Sequence, residues 1–357
     1  MKGVILAAGQ GTRLRPVTLT MPKPLVPVAN LPLIGYAMEV LRNAGVEEIG
    51  IVVNDLDSPI VRGLETGAKW GVRLSYIVQA EQRGLAHAIG LTKDFVAGEP
   101  FCVFLGDNIF QDKMGDLLRG FPASDSEANI ALCEVSDPTR FGIAIVEEGV
   151  IKRVVEKPKV PPSNLAIAGV YLFRSSIFDS ISQIKPSARN EYEITDAIQH
   201  LIDTGAKVTN YKITGWWIDA GKPDSIMQAN QLVLGELPYT PAPDDPNMII
   251  GRCDVSSRVL VGENSQIIDS VVRGPVIIGK NVTIRNSYVG PYTAIGDNVL
   301  IENSEIEASI VMKDCAIRSI PGRIDSSLLA DNSTVSASAH GPAVHRFILA
   351  ENSYVQL

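Results

Sequence analysis

The side chains best placed for chemistry in this 357-residue chain are cations and carboxylates beside glycines, with no nucleophile paired to a base. Leu6-Ala7-Ala8-Gly9-Gln10-Gly11-Thr12-Arg13 follows an apolar run that reads as a buried strand. Glycines let a backbone come close to phosphate oxygens, and successive N–H groups can then point at the anion. A plain tight turn fits the same residues. The loop lacks the Gly-Lys-Ser/Thr ending of a Walker loop, and Leu14 stands where a dinucleotide fingerprint needs its third glycine. Ten residues past Arg13, Lys23 lies between Pro22 and Pro24, whose fixed φ aims the ammonium rather than leaving it free. Arg13 and Lys23 together suit a triphosphate and the charge that builds on its α-phosphate and on a leaving pyrophosphate.

Two acidic residues end apolar runs: Asp107 in Leu105-Gly106-Asp107-Asn108, and Asp219 in Trp216-Trp217-Ile218-Asp219. Magnesium prefers one or two carboxylates completed by phosphate oxygens, so the pair suits one Mg²⁺. An Asp-Asn turn is the alternative for the first. In Val154-Val155-Glu156-Lys157-Pro158, adjacent Glu156 and Lys157 point to opposite faces of a strand. At a strand end, Lys157 can reach a phosphate while Glu156 accepts hydroxyls. The four histidines, His87, His200, His340 and His345, sit in no triad context. Transfer between phosphates needs none, because alignment and charge stabilisation can carry it.

The elements that must position these groups follow from periodicity. Strands are expected over 3–8, 49–53, 74–78 and 101–105, with helices over 33–44 and 85–95. Such alternation predicts an α/β, Rossmann-like domain with a mostly parallel sheet and helices on both faces. Ligands in such folds lie at the carboxyl ends of the strands, where Gly9–Arg13 and Gly106–Asn108 both fall. A proline-rich stretch then interrupts the pattern, and beyond it Val261, Ile278 and Ile295 recur 17 residues apart, as do Ile284 and Ile301, and Val289 and Ile306. Aliphatic residues opening units of five and six are the signature of a left-handed parallel β-helix built from hexapeptide repeats. A β-sandwich with regular turns is the other reading. The expected division is a nucleotide-handling domain at 1–235, a linker at 236–246 and the β-helix at 247–357.

A net charge of −8 argues against broad nucleic-acid binding, which needs a basic face. Cys102, Cys133, Cys253 and Cys315 form no close pair, which points away from a zinc site or disulfide framework. With no apolar span of membrane length, no membrane partner is expected and a cytoplasmic location is. A homo-oligomer is expected, since open coil ends and flat β-helix faces need covering.

Taken in order, Leu6–Pro16, Pro22–Val28, Leu105–Asn108, Val155–Pro158, Ala168–Phe173, Glu193–Asp196 and Trp216–Gly221 resemble the sugar-nucleotide pyrophosphorylase family, closest to its long-form glucose-1-phosphate thymidylyltransferases. The resemblance implies Mg²⁺-dependent attack by glucose 1-phosphate on the α-phosphate of dTTP or UTP, giving a nucleotide sugar and pyrophosphate. It implies nucleotide contacts from Leu6, Ala8, Gly9, Gly11, Thr12, Arg13, Gln79, Gly84 and Asp107. Sugar-phosphate contacts are implied for Asn108, Gly142, Glu156, Lys157, Gly169 and Tyr171. Arg13, Lys23, Asp107 and Lys157 would be catalytic, and Asp107 and Asp219 would hold the metal. Relatives using purine nucleotides, and β-helices that transfer acyl groups from a histidine, leave two further activities open. His340 and His345 are the candidates for the second.

Overall fold

Residues 1–337 are described in the computed structural model of the chain, so His340 and His345 lie outside the described residues. Two compact units emerge. One comprises Met1–Gln10, Pro22–Leu25 and Leu33–Asp219; the other comprises Gly11–Met21, Val26–Pro32 and the chain from Ala220.

The first unit is built on a nine-stranded sheet. Its order is Arg73–Val78, Glu48–Val53, Lys2–Leu6, Phe101–Leu105, Leu165–Phe173, Ala128–Glu134, Val208–Lys212, Val150–Glu156 and Gly142–Glu147. The first four strands run parallel, as strands separated by helices should. Beyond them the expectation of a mostly parallel sheet needs correcting. Leu165–Phe173 runs antiparallel to both neighbours, and so does Val150–Glu156, so half of the neighbouring pairs are antiparallel. The physical reason lies in a connection. Gly142–Glu147 returns to Val150–Glu156 through Glu148 and Gly149, whose φ values are 50° and 76°. Two such residues make a tight hairpin, and a parallel crossover needs a dozen or more.

Side chains alternate across this sheet and feed two cores. Val4, Val52 and Val103 pack with Ala86, Ile177 and Ile198 of the helices on one face. Ile5, Ile51 and Phe104 pack with Ile34, Met38 and Leu41 of the helix Leu33–Asn43 on the other. The helix expected over 85–95 is two pieces, Leu85–Gly90 and Lys93–Val96. At the break the Thr92 hydroxyl donates back to the Ile89 carbonyl oxygen at 2.7 Å, a bond that competes with helix continuation.

In the second unit, short strands from Ile249 onward stack into three parallel sheets visited in turn. Val261 aligns with Ile278 and Ile278 with Ile295; Ile284 aligns with Ile301, and Val289 with Ile306. The 17-residue step therefore pairs the residues that the repeat singled out. Ile267, Ile284, Ile301 and Ile317 form a fully buried column inside the coil. At the corners Asn264, Asn281 and Asn298 adopt left-handed φ of 59°, 55° and 59°. Asparagine tolerates that region, and here each amide nitrogen also donates to the next carboxamide or carboxylate oxygen, ending on Asp314. Buried serines do parallel work. The hydroxyls of Ser270, Ser287 and Ser304 accept from the backbone N–H of Ser287, Ser304 and Ile320, giving buried donors a partner where the ladder turns a corner. The helix Pro223–Gly235 belongs to this unit. Its Asn230 carboxamide accepts from Ala29 N–H and donates to the Tyr292 carbonyl oxygen, both at 2.9 Å. No helix among the described residues is long and apolar enough to cross a membrane.

Candidate active site

Strand ends of the first unit bring the charged residues together. The strand Lys2–Leu6 lies between Glu48–Val53 and Phe101–Leu105, so the Leu6–Gly9 and Gly106–Asn108 loops leave the sheet side by side. Gly106 N–H donates to the Leu6 carbonyl oxygen at 3.0 Å. Past Asp107 the chain forms a short strand, Asn108–Phe110, antiparallel to Trp217–Asp219, with Asp219 opposite Asn108. This ribbon brings the carboxylates of Asp107 and Asp219 to one ammonium. Lys23 is 6% exposed, donates to Asp107 Oδ2 and stands 3.9 Å from Asp219 Oδ1. A lysine so buried is retained only when paired. Pro24 is buried beside it in the turn Lys23–Leu25, which fixes the direction of the side chain.

Asn108 links this group to an aromatic wall. Its carboxamide donates to Asp107 Oδ1 at 2.7 Å and accepts from the indole N–H of Trp217. The Trp217 ring lies 5.2 Å from that of Phe141, whose carbonyl oxygen takes the Lys157 N–H at 3.0 Å. Lys157, at φ 40°, bends away from the strand end, and its ammonium is 3.3 Å from Glu156 Oε1. Opposite faces do not keep the pair apart, because this turned backbone breaks the alternation that a straight strand would impose. Gly142 and Gly169 make room around them. A Cβ on Gly142 would fall 3.2 Å from Glu156 Oε2. One on Gly169 would meet Leu105 at 2.8 Å, and its φ of 77° suits glycine. Around Gly169 the pairing with Ala128–Glu134 shifts register between Ile167 and Tyr171, a bulge that re-aims the strand beside Asn108. Tyr171 is buried and stacked on Phe173; burial, with the Glu156 charge behind it, pushes its phenol well above the usual range. A buried phenol there packs the strand against the neighbouring ring.

Arg189, which sequence reasoning does not single out, and Thr195, which lies in the matching segment Glu193–Asp196 but is given no role there, complete the group. Arg189 Nη2 donates to Glu156 Oε1 at 3.1 Å and to Glu193 Oε1 at 2.8 Å, and Thr195 Oγ1 donates to Glu156 Oε2 at 3.2 Å. Burial works against the Arg189 charge. The hydrogen bond and charge of Glu193, then Glu156 and Glu191, outweigh it and raise the guanidinium pKa. The available signal was an arginine just ahead of a helix start that carries Glu193 and Thr195, here the helix Ile194–Asp203.

The Gln79–Gly84 segment joins from the other side. Gln82 Nε2 donates to the Ala8 carbonyl oxygen at 2.6 Å. Gly84 packs on Tyr192, where a Cβ would stand 2.5 Å from the carbonyl oxygen, and its φ is 104°. Tyr192 adjoins Glu193, so a continuous wall runs from Ala8 to Lys157. Gly11, Thr12 and Arg13 lie in the segment Gly11–Met21 of the second unit, on the short turn Thr12–Leu14, with Arg13 exposed.

No three His, Cys, Asp or Glu side chains gather into a metal cage among the described residues. Two carboxylates at one ammonium are instead the donor set that suits magnesium, a hard cation that takes its remaining ligands from water and phosphate. Asp107 and Asp219 would hold it.

A buried lysine between two strand-end carboxylates, on an α/β sheet, is the framework of a phosphate-handling enzyme. The sequence model described as nucleotidyl transferase matches residues 2–236. A low-salt glycan biosynthesis nucleotidyltransferase of Haloferax volcanii is 48% identical over 236 residues, 66% of each chain. A glucose-1-phosphate thymidylyltransferase of Streptomyces griseus is 39% identical over 100% of this chain and 99% of its own. Among solved structures, a putative glucose-1-phosphate thymidylyltransferase from Bacillus anthracis, crystallised with a sucrose, superimposes with a TM-score of 0.61 at 39% identity. The match covers 65% of this chain and 94% of that one. The chain belongs to the nucleotidyl transferase family.

Proposed function

We propose that this chain condenses glucose 1-phosphate with dTTP, or with UTP, to give the nucleoside diphosphate glucose and pyrophosphate. The observation that carries the reading is the buried Lys23 ammonium held between Asp107 and Asp219. It is supported by similarity to a glucose-1-phosphate thymidylyltransferase along the full chain.

Lys23 neutralises charge at the reacting phosphates, where a buried cation acts far more strongly than in water. Lys157 holds the phosphate of the sugar, and Glu156, fixed by Arg189 and Thr195, accepts sugar hydroxyls. Asn108, Gly142, Gly169 and Tyr171 shape the sugar side. Leu6, Ala8, Gly9, Gly11, Thr12 and Arg13 bind the triphosphate, and Gln79 and Gly84 the base. Magnesium held by Asp107 and Asp219 would polarise the α-phosphate and screen its charge. The sugar phosphate oxygen attacks in line with the leaving pyrophosphate, and no protein group forms a covalent intermediate.

In sequence terms the catalytic domain spans 1–235, a linker spans 236–246 and a left-handed, hexapeptide-repeat β-helix begins at 247; the end of that expected span, 338–357, lies outside the described residues. That coil mediates homo-oligomer assembly, and the enzyme acts in the cytoplasm.

The purified protein should release pyrophosphate only when glucose 1-phosphate, dTTP or UTP, and Mg²⁺ are all present. Release from no combination of common sugar phosphates and triphosphates rules the proposal out. ATP or GTP as the preferred donor would select the purine alternative. Lys157→Ala should raise KM for glucose 1-phosphate by roughly ten- to a hundredfold, the loss of one charge-assisted hydrogen bond, while KM for the nucleotide changes little. Steady-state kinetics with each substrate varied in turn reads the two apart.

A further inference from the structure

We infer that His87 is a positioning residue for base recognition: with the Gly84 carbonyl oxygen it holds the Gln79 amide nitrogen, so that Gln79 offers only its oxygen to the base. The inference rests on the proposed nucleotide site and adds a residue to it.

Gln79 ends the strand Arg73–Val78, anchored by its N–H to the Val53 carbonyl oxygen at 2.8 Å, and it is only 5% exposed. Its Nε2 lies 3.3 Å from the Gly84 carbonyl oxygen and 3.0 Å from His87 Nδ1. A carbonyl oxygen can only accept, so the nitrogen end of the amide must face Gly84. That choice settles the histidine as well. Nδ1 must present its lone pair, and the ring is the neutral tautomer with its proton on Nε2. Both amide hydrogens are then committed. Gln79 Oε1 accepts no hydrogen bond among the described residues. Nor is it one of the enclosed orphan atoms, which are Asn129 Oδ1, Ser175 Oγ, Trp216 Nε1 and Thr240 Oγ1. It is a fixed acceptor open to a ligand, on a side chain that is otherwise buried.

His87 is itself held. It lies in the helix Leu85–Gly90, which starts at Gly84, and its ring stands 6.5 Å from that of Tyr192. Burial first, then the charge of Arg83, pushes its pKa down against the opposing pull of Glu81, in keeping with a neutral ring. An amide that could rotate freely would show a base either its donor or its acceptor. Fixed in this way, it takes the imide N–H of thymine or uracil and gives no N–H to a base acceptor.

Direct binding tests this without turnover. dTTP, its N3-methyl analogue and inorganic tripolyphosphate would be titrated calorimetrically into the wild-type protein, His87→Leu and His87→Asn. The wild type should prefer dTTP over the methylated analogue by roughly ten- to a hundredfold, the range for one ligand group lost from a polar site. His87→Leu should lose most of that preference while binding tripolyphosphate as before. His87→Asn, whose Oδ1 can take the place of Nδ1, should keep most of it. An unchanged preference in His87→Leu overturns the assignment, as does a wild type blind to the methyl group. So does an equal loss of dTTP and tripolyphosphate binding in His87→Leu, which marks a role in folding only. Failure of the proposed reaction is read separately, by the absence of pyrophosphate release from the wild type.

Discussion

Asp107→Ala is expected to lower turnover roughly a thousandfold, about 4 kcal/mol of transition-state stabilisation, and to abolish the response of the rate to added Mg²⁺. Asp107 stands at the meeting point of two networks. One carboxylate oxygen takes the Lys23 ammonium and the other takes the Asn108 amide. Its removal leaves Asp219 as the sole carboxylate for the metal, 3.9 Å from a lysine that has lost its nearer partner. Asp107→Asn keeps the shape but removes the charge and one of the two acceptor oxygens, so it should lose metal dependence with a smaller fall in melting temperature than Asp107→Ala. Initial rates over a magnesium series, with thermal melts of both variants, separate the two effects. A near-normal rate in Asp107→Ala would falsify the metal assignment.

Lys23→Met should be nearly as damaging to catalysis and more damaging to the fold. Removing one donor that stabilises developing charge costs roughly 10²–10³ in kcat. The same substitution leaves two carboxylates, each more than a quarter exposed, at one site without the cation between them, and their mutual repulsion lowers stability. The sign of the second effect depends on magnesium, which would screen the carboxylates in place of the lysine. Chemical denaturation of Lys23→Met should therefore show a larger stabilisation by millimolar Mg²⁺ than the wild type does. Equal stabilisation of the two proteins would separate Lys23 from the metal site.

Much of this geometry is legible from strand ends. Lys23, Asp107 and Asp219 each stand where an apolar run or a proline pair stops, and the structure brings all three together. What joins them is not legible. The ribbon of Asn108–Phe110 and Trp217–Asp219 pairs two three-residue strands more than a hundred positions apart, too short for periodicity to register. The roles of Arg189 and Thr195 escape for a related reason: their partner Glu156 lies on a distant strand, and charge alone does not name a partner. The mixed half of the sheet is hidden because its hairpin turns on Glu148 and Gly149 instead of the usual Asn-Gly. The 17-residue step is fully legible, since each coil repeats one local rule.

The ladders at the coil corners also set what length changes the chain can accept. Because each rung bonds chiefly to the rungs beside it, stability accumulates rung by rung. A one-residue deletion inside a strand would throw every amide and hydroxyl out of line with its neighbour, whereas loss of a whole rung would rejoin matching edges. The chain already absorbs two irregularities: the step shortens from Val289–Ile306 to Ile295–Val311 at the corner between Ile306 and Ile310, and lengthens from Ile301–Ile317 to Ile306–Ile324 at the corner between Arg318 and Arg323. Insertions and deletions in this region should thus be tolerated in quanta, at corners or as complete turns, and the coil can lengthen or shorten without any redesign of its cross-section.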